Sequence, residues 1–86
     1  MNAGERELVL FHRIAEPESA AIRTYIVERG LKPRIDFQNV ETDGAELFRR
    51  RGGRRTPALW DGRRLHEGAD SIRVALGAII GVQEQE

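Results

Sequence analysis

The chain has 86 residues, 40% of them apolar and 33% charged, with a formal net charge of zero and no cysteine. That length holds one modest core and predicts a single domain over residues 1–86, its core at about 7–81. The lack of cysteine excludes a disulfide, a thiol nucleophile and a dithiol redox centre. No apolar run approaches membrane-spanning length, so the expectation is a cytoplasmic protein with no membrane partner.

The charge is unevenly spread. Residues 49–64 hold seven arginines and one acid, Asp61, a local charge of +6 that the remainder balances. Such a stretch suits an acidic protein, a small anion or a nucleic acid, and equally a solvated or internally paired face. No base-reading motif accompanies it, which places nucleic acid behind the other partners. His12 and His66 are far apart in sequence and neither has a compact set of ligands around it, so no metal is expected.

In chain order, Leu8-Val9-Leu10-Phe11 is a continuous apolar run suited to an interior strand over 7–12, with His12 and Arg13 at its end. Glu16-Pro17-Glu18-Ser19 reads as a helix entrance, with proline at the first helical position and acids beside the amino-terminal dipole. This helix is expected to reach Glu28 or Arg29, to carry Ala21, Ile22, Tyr25, Ile26 and Arg29 on one side, and to stop at Gly30. Pro33 precedes a strand over 34–38 in which Ile35 and Phe37 share a face. If it runs parallel to the first, the helix between them is the crossover.

Asp43 and Glu46 have capping-box spacing and predict a short helix through Leu47, Phe48 and Arg51, ending at Gly52-Gly53. Next comes Thr56-Pro57-Ala58-Leu59-Trp60-Asp61-Gly62. Pro57 belongs at a strand's first residue or at an unpaired position, Trp60 at a buried strand position, and Asp61-Gly62 at the centre of a two-residue hairpin turn. The return strand is expected at about 63–65, broken by His66-Glu67-Gly68. A final helix opens at Gly68 or Asp70, faces inward with Ile72, Ala75, Leu76, Ile79 and Ile80, and ends at Gly81. Gly77 lowers the helix propensity there, although it would permit close packing. The order is β-α-β-α-β-β-α, an α/β domain with a mixed four-stranded sheet covered by three helices.

This order, with Arg55-Thr56-Pro57-Ala58-Leu59-Trp60-Asp61-Gly62 and the following Leu65-His66-Glu67-Gly68-Ala69-Asp70-Ser71-Ile72, resembles the thioredoxin-like superfamily over residues 8–76. The likeness is to glutaredoxins and to the amino-terminal domains of glutathione transferases. It implies a cis bond before Pro57, a Thr56 backbone that binds the cysteinyl part of glutathione, and a contact for the γ-glutamyl end at Asp70 with Ser71 beside it. Where glutaredoxins have Cys-Pro-x-Cys, this chain has Glu16-Pro17-Glu18-Ser19. Neither a carboxylate nor an ordinary hydroxyl performs thiol–disulfide exchange.

The leading functional expectation is therefore a non-redox thioredoxin-fold module that binds a protein, a peptide or a small acidic ligand. Its cleft would be lined by Arg13, Glu16, Ser19, Arg54, Arg55, Thr56, Pro57, Asp70 and Ser71, with no catalytic residue and with glutathione as the ligand the resemblance implies. Arg13, Arg54 and Arg55 suit carboxylates because a guanidinium grips them through paired hydrogen bonds. A second reading is a transferase-like enzyme using Ser19 on glutathione, although Glu16 would place negative charge near the thiol and these residues include no helical second domain. Carboxylate catalysis by Glu16 with His12 and nucleic-acid binding by the arginine-rich stretch are the remaining alternatives.

Overall fold

The computed structural model describes residues 7–80. The helix end expected at Gly81 lies outside the described residues, as do the terminal segments. Strand β1 (Leu8–His12) is buried along its whole length. It pairs in parallel with β2 (Ile35–Asn39) on one side and antiparallel with β3 (Ala58–Trp60) on the other. Strand β4 (Leu65–Glu67) runs antiparallel to β3, so the sheet order is β2-β1-β3-β4. Three helices complete the order read from the sequence: α1 (Pro17–Glu28), α2 (Ala45–Arg50) and α3 (Ala69–Ile80). The architecture is thioredoxin-like in general terms.

The continuous apolar run of β1 is explained by its place between two layers. Leu8 and Leu10, with Ile35 and Leu59, pack against Ile22 and Ile26 of α1 and Ile72, Ala75 and Leu76 of α3. Val9, Phe11 and Ala58 point the other way and join Val40 with the half-buried Leu47 and Phe48 of α2, and Trp60 and Leu65. The Phe11 and Phe48 rings lie 5.3 Å apart in a tilted arrangement. Each large side chain fully buried here contributes about 1.5–3 kcal/mol. Successive side chains of a strand point to opposite faces, so a central strand under two helical layers requires apolar residues at every position.

Several local expectations are corrected. The inward stripe of α1 is Ser19, Ile22 and Ile26, while Ala21 and Arg29 are exposed. Only a narrow stripe of a helix can meet a sheet it packs on, and Ala21 is rotated out of it. Arg29 stays in water with its guanidinium 4.0 Å from the Tyr25 ring centroid. The capping box at Asp43 and Glu46 does not form: Gly44 is the cap residue and offers no side chain, while Asp43 accepts the Thr42 hydroxyl at 3.2 Å. Gly44 sits so close to the end of β2 that a Cβ there would lie 2.8 Å from Gln38 Cβ and 2.9 Å from the Asn39 carbonyl oxygen. That approach, with Gly44 N–H donating to the Asn39 carbonyl at 2.9 Å, sets where α2 begins.

The hairpin also differs. Trp60 pairs with Leu65, and the Asp61 amide donates to the Arg64 carbonyl at 3.2 Å, so Gly62 and Arg63 are the central residues. Gly62 alone takes a positive φ, of 98°. Asp61 acts through its side chain: Oδ1 accepts the Arg63 and Arg64 amides at 2.8 and 2.9 Å, and Oδ2 meets His66 Nε2 at 2.8 Å. Because Asp61 precedes the turn centre, β4 begins later than expected and includes His66 and Glu67. Trp60 is half-buried rather than buried, with the Arg51 guanidinium 4.3 Å from its ring centroid.

Gly77 leaves space instead of filling it, since a Cβ at that position meets nothing within 4 Å. Glycine in a helix interior costs roughly 0.5–1 kcal/mol relative to alanine. The Gly77→Ala variant is therefore expected to gain about that much stability, read as a higher urea midpoint with an unchanged slope. A loss of stability would show that the α3 surface is closer-packed than described.

Candidate functional site

The carboxyl end of β1, the first turn of α1 and the segment leading into β3 converge at one end of the sheet. The Thr56–Pro57 peptide bond there is cis. Ser19 is fully buried and Thr56 nearly so. The Ser19 hydroxyl donates to Glu16 Oε1 at 2.5 Å, and the Thr56 hydroxyl donates to the same oxygen at 2.8 Å. The hydroxyls in turn accept from Arg13, Ser19 from its amide and Thr56 from its Nε, both at 3.1 Å.

Donor and acceptor chemistry fixes the direction of this cycle. Arginine and the backbone amide can only donate, and an ionised carboxylate can only accept. Each hydroxyl must therefore take from Arg13 and give to Glu16. Both hydroxyl protons are committed, and no buried side-chain nitrogen or oxygen among the described residues lacks a partner. Arg13 also reaches Glu41 Oε2 at 3.3 Å across a largely exposed gap.

Two further carboxylates tie down the surroundings. Glu67 Oε2 accepts the Arg54 and Arg55 amides at 2.7 and 3.0 Å. Glu18 Oε2 accepts the Ala69 amide at 2.9 Å and lies 3.5 Å from the Arg55 guanidinium. A carboxylate on a free amide at the start of α3 also meets the positive end of the helix dipole. The Gly68 amide donates to the Pro57 carbonyl at 2.8 Å, which joins the start of α3 to the Thr56-Pro57 segment. The Thr56 amide and carbonyl, in contrast, make no hydrogen bond to another described residue.

Of the residues singled out from sequence, Arg13, Glu16, Ser19 and Thr56 thus share one network, with Pro57 adjoining it. Arg55 borders it through Glu18. Arg54 is exposed and its guanidinium meets no described partner. Asp70 is fully exposed, held by Arg73 at 3.1 Å, and Ser71 is exposed beside it. The arginine-rich stretch is divided by the fold: Arg54 and Arg55 precede β3 at this end, while Arg63 and Arg64 form the hairpin beyond its far end. His12 and Glu16 are not joined as an acid–base pair. His12 Nδ1 instead meets the Arg23 guanidinium at 3.0 Å, and burial, then the Arg23 charge, hold the imidazole below its usual range.

Sequence reading missed Arg23, Glu18, Glu41 and Glu67. Their partners lie up to 51 residues away, and no local pattern marks an acid that binds a distant amide. Compared with known proteins, the chain matches no family model, no curated protein and no solved structure. With no cysteine, thiol–disulfide catalysis is excluded. Among the described residues no helix is long and apolar enough to cross a membrane.

Proposed function

We propose that this domain is a non-redox binding module that docks an extended, acidic peptide segment, or a small peptide such as glutathione, along Thr56. The observation that carries the reading is the amide and carbonyl of Thr56, which bond no other described residue, beside the Arg13 side chain that meets the Thr56 hydroxyl and next in the chain to Arg54 and Arg55. A strand-like ligand would supply the missing backbone hydrogen bonds, and the arginines would favour carboxylates on it. The committed protons of Ser19 and Thr56 weigh against the transferase reading, since neither hydroxyl has a hydrogen left to stabilise a thiolate. The division of the arginines between two ends of the sheet gives less support to a continuous phosphate-binding track.

Amide NMR titrations with reduced glutathione and with a short Glu-rich peptide test the reading. Saturable shifts centred on Arg13, Arg54 and Thr56 are expected, with no glutathione-dependent turnover of electrophiles. The Arg54→Ala variant should bind the acidic peptide about two- to fivefold more weakly, the scale of one exposed charge pair. An absence of shifts at millimolar ligand would sink the proposal, and binding only to nucleic acid, weakening with salt, would replace it.

A further inference from the structure

Arg23 is a half-buried residue of α1 with three polar contacts, all directed at the end of β1 and the turn after it. One guanidinium nitrogen meets His12 Nδ1 at 3.0 Å and donates to the Arg13 carbonyl at 3.1 Å, and the other donates to the Ile14 carbonyl at 3.2 Å. A guanidinium has no lone pair to offer. The Nδ1 that faces it must therefore be the acceptor, so this geometry requires a neutral His12 carrying its proton on Nε2. A second proton would set a donor against a donor and one cation against another at the same distance.

The turn held by Arg23 carries the network described above. The Arg13 carbonyl also accepts the Glu16 amide at 3.4 Å, while the Arg13 amide and Nε bind the Ser19 and Thr56 hydroxyls. Moving the Arg13 carbonyl would displace both ends of that network. We propose that Arg23 is a positioning residue for the cleft, clamping residues 13–16 through two carbonyls and a neutral His12, and that protonation of His12 opens the clamp.

Little around the ring would offset that protonation. From β2 the ring is faced by Phe37, centroids 5.6 Å apart, and is paired across the ladder with Asn39, both uncharged. From the turn before β2, the Lys32 ammonium lies over Phe37, 4.6 Å from its centroid. From α1 comes Arg23, and among the described residues no carboxylate is bonded to the imidazole. Opening accordingly belongs on the acid side of about pH 6.5, the ordinary histidine midpoint. Its effect on ligand capture rests on the binding reading above, with affinity falling as the pH falls, whereas the clamp itself does not depend on that reading.

An NMR pH titration of the full chain without ligand tests the clamp. At neutral pH the His12 nitrogen shifts should report the Nε2–H tautomer. On acidification the amides of Arg13, Ile14, Ala15 and Glu16 should shift with the same midpoint as the His12 ring. In His12→Asn, whose side-chain oxygen can accept near the Nδ1 position without titrating, the step in those amides should vanish. An Nδ1–H tautomer, loop amides that ignore the His12 midpoint, or an unchanged step in His12→Asn each overturns the proposal. If that variant does not fold, the wild-type tautomer and midpoints decide alone. A clean loop transition with no peptide binding at any pH would sink the binding reading and leave the clamp standing.

Discussion

Replacing Glu16 with alanine is expected to destabilise the domain by about 2–6 kcal/mol, because two buried hydroxyl donors lose their acceptor at once and each such loss costs about 1–3 kcal/mol. The Ser19 hydroxyl cannot turn to water, since the residue is fully buried, and its lone pair already holds the Arg13 amide. Thr56 is constrained in the same way from the other side by Arg13 Nε. Glu16→Gln is the control: its amide oxygen can accept both hydroxyls, so only the charge-assisted part of the bonding is lost and the cost should be about 1 kcal/mol. Urea unfolding reads both variants, and a fall in midpoint with an unchanged slope identifies a change in stability rather than in compactness. The double variant Glu16→Ala with Ser19→Ala should be less damaging than the two single losses added together, because the Ser19 donor goes with its acceptor and only the Thr56 hydroxyl and the Arg13 amide are left without partners. An alanine variant within about 0.5 kcal/mol of the parent would mean that water satisfies these hydroxyls, and the network would then hold nothing in place.

That network lies where the end of β1, the first turn of α1 and the cis Thr56–Pro57 segment meet. Glu16 and Ser19 supply complementary polar groups that close the gap, with Arg13 and Thr56 completing the cycle. Glu18 and Glu67 then fix backbone amides on the opposite wall. The amide and carbonyl of Thr56, a nearly buried residue, bond no other described residue.

How much of this could be read in advance depended on the range of the interaction. The apolar run in β1, proline at the first position of α1 and the order of elements are local signals, and they placed the sheet and helices within a few residues. Failures came where a side chain chose between two local roles. Asp61 was as well suited to a turn centre as to accepting amides ahead of it, and only the pairing of Trp60 with Leu65 decides between them. Asp43 had capping spacing, but the tight contact of Gly44 with the end of β2 set the helix start, a tertiary constraint that spacing does not encode. In the candidate site, the meeting of Glu16 with Thr56 followed from the resemblance. The clamp by Arg23 did not, because an arginine on a helix face carries no mark of the carbonyls it will find.

Between pH 4 and pH 2 the domain is expected to lose about 2 kcal/mol of stability through Asp61 alone. Burial by itself pushes this carboxyl up, but the hydrogen bond from His66, those from the Arg64 and Arg63 amides, and the charge of His66 outweigh it and lower its pKa from 3.8 to about 2. With the folded value below the unfolded one, the carboxylate form stabilises the fold fully above the unfolded pKa, and that contribution is lost as the pH falls through the folded pKa. The gap of nearly two pH units, at about 1.36 kcal/mol each, sets the size. The side chain is 12% exposed, so solvent screening reduces it little. Other carboxylates titrate over the same range, which makes the comparison with Asp61→Asn decisive. Asparagine can still accept the two turn amides but has no charge to lose, so its stability should fall less steeply between pH 4 and pH 2, and the two curves should converge at the acid end. Parallel curves would mean that the carboxylate is no better held in the folded hairpin than in the unfolded chain, and the turn would then owe its form to Gly62 and the β3–β4 ladder.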